Sequence, residues 1–302
     1  MSKKKPILVT GSHRSGSTWI GKMIAESSEV GYIHEPFNLS IKRYNQPFDH
    51  WFEFISEYCS QSHQDKVYDY MQSFYGFPSG LAFKRLFNVG SFYDFYFYLR
   101  DLGNLRRRLG QRTLFKDPIA IMSSEWLYTK LDCDIIVTVR HPAAFVASLK
   151  VKGWEFEFNN FFAQKNLMKV YLSEFKDEIE AYVKSQPDVI HQGIALWKAI
   201  YGTVAQFREK YGESWLFVRH EDISLRPLEE FQRIFTYLNL ELTEKVKHAI
   251  TSSTTAKQKG LHQRDAAKNI STWKGRLTNE EINLIKENTR SVWTKYYSEN
   301  EW

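Results

Sequence analysis

Only two cysteines, Cys59 and Cys133, occur in the 302 residues of this chain. That is too few for a disulfide framework and points to a reducing compartment. No stretch approaches the roughly 20 consecutive apolar residues of a membrane-spanning helix. The start, Met1-Ser-Lys-Lys-Lys5, has the charge of a secretory leader. The apolar run after it is only about five residues, too short for the h-region of such a leader. These absences lead to the expectation of a soluble, cytoplasmic protein with no membrane span. Low-complexity linkers and internal repeats are missing too, so residues 1–302 read as a single domain. Charge of one sign is not in large excess: 41 Lys and Arg stand against 35 Asp and Glu, a net +6. A mild basic balance suits anionic small ligands and does not require nucleic acid as a partner. The small basic clusters Lys3–Lys5 and Arg106–Arg108 read as solvated surface. What the chain has in quantity is apolar and aromatic side chains, 43% and 16% of residues, ample for a sizeable core.

Short β-rich runs alternate with helical patterns, the order expected of an α/β protein with a central parallel sheet flanked by helices. Strand candidates are Ile7–Thr10, Leu81–Lys84, Thr113–Lys116, Asp134–Val139 and Trp215–Arg219, with a further strand ending near His34. The run Ile135-Ile-Val-Thr-Val139 is apolar and β-branched, as a strand buried on both faces should be. Helical spacing joins Ile190, Ile194, Trp197, Tyr201, Val204 and Tyr211, and again Leu228, Phe231, Ile234, Phe235 and Leu238. Pro227 suits the first position of the second of these helices. Two aromatic-rich blocks, Phe48–Phe77 and Trp154–Phe175, interrupt the alternation and mark helical insertions near 40–80 and 152–185. Most of their rings read as core, and some as the wall of a pocket over the active face.

The segment Gly11-Ser-His-Arg-Ser-Gly-Ser-Thr18 stands between a strand pattern and a helix pattern, the context a phosphate-binding loop needs. Gly11, Gly16 and Thr18 fit G-x-x-x-x-G-K-S/T, but Ser17 takes the place of the lysine that reaches β- and γ-phosphates. Such a loop can still cradle one phosphate with N–H groups at a helix N-terminus. The cation comes earlier, at Arg14. A second segment, Ile135–Ser148, ends a buried strand in Arg140, turns at Pro142 and begins a helix that carries Ser148 eight residues on. A nucleoside triphosphatase would offer Mg²⁺ an acid at such a strand end. Arginine offers a fork of donors for a phosphate instead.

With these two segments in place, the chain resembles the sulfotransferases that use 3′-phosphoadenosine 5′-phosphosulfate (PAPS). Arg14-Ser-Gly-Ser-Thr-Trp19 matches the family's 5′-phosphosulfate loop. Arg140, Pro142 and Ser148 match its 3′-phosphate motif, with the same eight-residue spacing. Weaker echoes are Glu221-Asp222 and the ending Trp273-Lys-Gly-Arg-Leu-Thr278, and Arg264-Asp265 is similar to bacterial, glycan-linked members. The resemblance implies a P-loop-like three-layer fold and a PAPS co-substrate that leaves as 3′,5′-ADP (PAP), with no metal. It implies that Ser15, Gly16, Ser17 and Thr18 hold the 5′-phosphate, and that Trp19 either stacks on adenine or is a core ring. Arg140, Ser148 and, from the Lys257–Lys268 stretch, Arg264 would hold the 3′-phosphate.

The acceptor implied is a hydroxyl on a carbohydrate or small metabolite; no oligomeric state is implied. Arg14 stands in the slot of the family's lysine and stabilises charge on the leaving oxygen, since arginine does not readily donate a proton. The histidine of the cytosolic K-x-T-H motif has no counterpart. The resemblance to bacterial and carbohydrate members, several of which have a glutamate in a comparable position as the proposed base, implies Glu35 as the base, with His34 second; the alternative is a structural Glu35 that pairs with an arginine or orients Arg14. Lys116 is expected to touch the sulfonate or the acceptor, and Asp117 to cap the next helix. Two other readings compete: a P-loop-like kinase, which wants Lys at position 17 and an acid at a strand end, and a non-catalytic nucleotide-binding protein, which needs no base.

Overall fold

The computed structural model describes residues 4–74, 110–254 and 270–302. Five strands form one parallel sheet: β1 (Ile7–Thr10), β2 (Val30–His34), β3 (Arg112–Lys116), β4 (Asp134–Val139) and β5 (Leu216–Arg219), in the order β2-β3-β1-β4-β5. The expected strand Leu81–Lys84 lies outside the described residues. The others appear within a residue of their expected limits. β3 gains Arg112 because its side chain is tied down, donating to the Leu238 carbonyl at 2.6 Å and pairing with Asp134.

β1 and β4 are the most continuously apolar strands because both of their faces are covered. In β1, Leu8 points into one hydrophobic cluster while Ile7 and Val9 point into another. The first cluster includes residues of α2 (Pro142–Lys152) and α3 (Val189–Tyr211). The second is built with α1 (Ser17–Ile24), α4 (Pro227–Tyr237) and α5 (Glu244–Thr254). The result is the three-layer α/β arrangement that the alternating pattern called for. α3 begins where Asp188 accepts from the N–H groups of Ile190 and His191, at 2.8 and 3.0 Å. α4 begins with Pro227 in its first turn. Among the described residues, no helix is long and apolar enough to cross a membrane.

The aromatic blocks are chiefly core: Phe48, Phe54, Tyr70, Phe74, Phe158 and Phe161 are all buried. Chain connections leave β1 toward β2 on one side and β4 toward β5 on the other. The C-terminal ends of the neighbouring β1 and β4 therefore form the crevice where open parallel sheets take their ligands.

Candidate active site

The loop after β1 passes tightly against β4. A Cβ on Gly11 would sit 2.3 Å from the Thr138 carbonyl oxygen, so only glycine fits there. The loop is then braced from inside. Ser12 Oγ bonds Tyr201 Oη at 2.8 Å, and Ser15 Oγ bonds both the Ser12 carbonyl and Thr138 Oγ1. The loop closes at Gly16, in the left-handed region at φ 93°, with the ring of His220 where a Cβ would be. No side chain caps α1 at Gly16, which leaves its first N–H groups without an intrahelical acceptor.

Arg140 is carried to the opposite wall by the end of β4. Three contacts fix it. The Trp197 indole donates to its carbonyl at 2.9 Å. Glu221 accepts the N–H of the next residue, His141, at 3.1 Å and the Tyr297 hydroxyl at 2.9 Å. Arg140 Nη1 donates to the Arg14 carbonyl, joining the two walls. The buried Nε of Arg140 has no partner among the described residues. Burial draws the guanidinium pKa below its ordinary value; Glu221 opposes this and Arg14 adds to it. Ser148, one helix face further on, accepts from Arg14 Nε at 2.8 Å. Arg14 itself has φ 66° and its guanidinium lies 5.8 Å from the Trp154 ring centre.

These groups line a cavity of about 1090 Å³. The lining includes Trp19, whose indole donates to Ser253 Oγ at 2.9 Å, with Lys22, Met23 and Ser224. It also includes Phe52, which packs against Phe156, and Trp51, Trp154, Asn38 and Asn160. Gly16, Ser17, Thr18, Trp19, Arg14, Arg140, Ser148 and Glu35 thus share one cavity, as their sequence roles require.

Three expected residues stand off the cavity wall, and a fourth is not among the described residues. Ser15 is fully buried and its N–H already donates to the Ser12 carbonyl at 3.3 Å, so it stiffens the loop and does not face a ligand. Lys116 is fully buried beneath α1, beside Gly21, and is off the cavity wall. It is ion-paired with Glu35, so Glu35 does have a cationic partner, a lysine rather than an arginine. His34 is exposed at the sheet edge and does not line the cavity. Arg264 lies outside the described residues. Asp117 does cap the following turn, accepting from the Ile119 N–H at 3.1 Å and the Phe37 N–H at 2.6 Å.

Glu35 sits at φ 47° after β2 and also accepts from Asn38 Nδ2 at 2.6 Å. Burial alone would raise its pKa, but the charge and hydrogen bond of Lys116 outweigh this and hold it below the carboxylate's ordinary value. That makes Glu35 a firm anion whose charge is already engaged by Lys116. Among the cavity residues that sequence reasoning passed over are His13, an unspecified position of the loop motif, and Arg276, inside the Trp273–Thr278 motif.

The model described as the Sulfotransferase family matches residues 6–244. No curated protein matches the chain. Among solved structures, the sulfotransferase domain from the curacin biosynthetic pathway is similar in fold, with 15% identity, a TM-score of 0.50, and 96% of this chain and 99% of that one covered. Sulfotransferase STF1 from Mycobacterium tuberculosis aligns at 16% identity and a TM-score of 0.45, over 96% of this chain and 77% of that one. Mouse sulfotransferase SULT7A1 complexed with PAP aligns at 11% identity and a TM-score of 0.48, over 99% and 89%.

Proposed function

Because the chain belongs to the sulfotransferase family, we propose that it moves the sulfuryl group of PAPS to a hydroxyl of a carbohydrate or small metabolite, acting as one domain in the cytoplasm. The observation that carries this reading is the pair of phosphate sites facing each other across β1 and β4. On one side is the uncapped start of α1. On the other is Arg140, half-buried on the cavity wall, with Ser148 close to Arg14. Arg140 lines the cavity, and a phosphate there would pair with its guanidinium charge. A kinase would want a lysine and an acid where this chain has Ser17 and Arg140.

In this reading the N–H groups of Gly16, Ser17 and Thr18, with the two hydroxyls, bind the 5′-phosphate at the positive end of α1. Trp19 forms the adenine wall. Arg140 and Ser148 bind the 3′-phosphate, with Arg264 as a further cation. Arg14 borders both sites, and its fixed charge stabilises the negative charge that collects on the leaving oxygen. The Glu35–Lys116 pair borders the acceptor side as a fixed electrostatic element. The rings of Trp51, Phe52, Trp154 and Phe156 and the amides of Asn38 and Asn160 suit stacking on, and hydrogen bonding to, a sugar-like acceptor. The free thiols of Cys59 and Cys133 fit a reducing cytoplasm.

The test is an acceptor screen with ³⁵S-labelled PAPS across glycans, phenols and alkyl alcohols. Label should move to a glycan or a small hydroxylated metabolite. Transfer to phenols alone would overturn the acceptor half of the reading; no consumption of PAPS under any condition would overturn the donor half.

A further inference from the structure

We propose that His13 is a catalytic residue, the group that takes the proton from the acceptor hydroxyl; this rests on the sulfuryl-transfer reading above. His13 lies directly before Arg14 in the phosphate loop, and its ring lines the cavity. The ring centre is 5.3 Å from that of Phe145, 5.9 Å from Trp154 and 6.0 Å from Phe52. Phe52 and Trp154 are among the rings assigned above to the acceptor, so His13 borders the acceptor's part of the cavity in that reading.

Neither nitrogen of the His13 ring is hydrogen-bonded among the described residues, and neither is sealed from the cavity. The buried ring of His141 differs: both of its nitrogens are unpartnered among the described residues and closed off from solvent. The charged neighbours of His13 are Arg14 and Glu35. Burial and Arg14 bring its pKa down to about 4, while Glu35 works in the opposite direction. At neutral pH the imidazole is therefore neutral, with a lone pair to offer. Once it gains a proton, the Glu35 anion stabilises the imidazolium. Glu35, held by Lys116, supports the proton acceptor from beside it.

The step balances as follows. The acceptor oxygen forms a bond to sulfur while the bond from sulfur to the bridging oxygen breaks. The electron pair of that bond leaves on the 5′-phosphate of 3′,5′-ADP, beside Arg14. The hydroxyl proton passes to a His13 ring nitrogen and later to water. A positioned base of this kind contributes roughly 10²–10⁴-fold to the rate.

The experiment compares wild type with His13→Ala and His13→Asn. PAPS consumption is followed as release of 3′,5′-ADP, with water and the panel above as acceptors, and 3′,5′-ADP affinity is measured by calorimetry. Both variants should keep wild-type affinity and lose kcat by roughly 10²–10⁴-fold with little change in KM for PAPS. Added imidazole should restore turnover to His13→Ala in proportion to its neutral form. A wild-type rate in His13→Ala, or a loss that imidazole does not restore, overturns the proposal. If wild type neither binds 3′,5′-ADP nor consumes PAPS, the reading beneath it falls instead.

Discussion

Replacing Glu35 by Gln isolates the ion pair beneath the cavity. Lys116 is fully buried, and Glu35 is its ion-pair partner. The substitution preserves shape and one hydrogen-bond acceptor but leaves an ammonium group inside the protein with no counter-charge. Breaking a buried pair from one side costs about 3–5 kcal/mol. In a protein of this size that lowers the melting temperature by roughly 6–10 °C. Thermal unfolding at pH 7, with urea titration as a second measure, reads the effect. Removing both charges in Glu35→Gln/Lys116→Met should recover most of the loss, because the desolvation penalty disappears with the lysine. If Glu35→Gln melts with wild type, or the double variant is no more stable than the single, the pair does not hold Lys116 in place and the electrostatic role given to Glu35 fails with it.

Acid should unfold the protein early. Burial pushes the pKa values of His141 and His220 from 6.5 to about 3, so each is neutral in the folded state and protonated in the unfolded chain between those values. The stability from each is present above pH 6.5 and falls as pH drops toward 3, by up to about 5 kcal/mol per ring. His141→Gln should flatten the slope of stability against pH in that window, and an unchanged slope would contradict the burial argument. Gly16→Ala meets a left-handed φ of 93° and a Cβ 2.5 Å from His220 Nδ1. It should cost about 1–3 kcal/mol of stability and weaken 3′,5′-ADP binding, with His220→Ala recovering part of the stability; a wild-type melting curve for Gly16→Ala would rule the clash out. Trp19→Ala should weaken 3′,5′-ADP and adenosine alike if the indole is the adenine wall, and a loss confined to the doubly phosphorylated ligand would contradict that role.

The sheet was readable because burial on both faces leaves a plain mark: runs such as Ile7–Thr10 and Ile135–Val139 have almost no polar interruption. The phosphate loop was readable because Gly11 and Gly16 answer steric demands that no other residue meets. Arg140 was readable because a strand end followed by Pro142 fixes where its side chain starts. What was hidden depends on pairing between distant segments. Lys116 and Glu35 are 81 residues apart in sequence, and Arg14 and Ser148 are 134 apart. Nothing local distinguishes a lysine that will face substrate from one that will be buried against a glutamate. Ser15 looked like a backbone ligand contact because it sits in the motif, yet its N–H turns to the Ser12 carbonyl. His13 was passed over for the opposite reason: it occupies a motif position open to any residue, and its environment is made by Phe52, Phe145 and Trp154 from three other segments.

The most direct test of the PAPS reading is calorimetric binding of 3′,5′-ADP, adenosine 5′-monophosphate and ATP–Mg²⁺ to wild type and Arg140→Ala. A charged hydrogen-bonded contact is worth roughly 1.5–3 kcal/mol, so wild type should prefer 3′,5′-ADP to the monophosphate by roughly 10- to 150-fold. ATP–Mg²⁺ should bind weakly, and the preference for the 3′-phosphate should collapse in Arg140→Ala. Equal affinity for 3′,5′-ADP and the monophosphate, tighter binding of ATP–Mg²⁺, or an Arg140→Ala variant that keeps the preference would contradict the account.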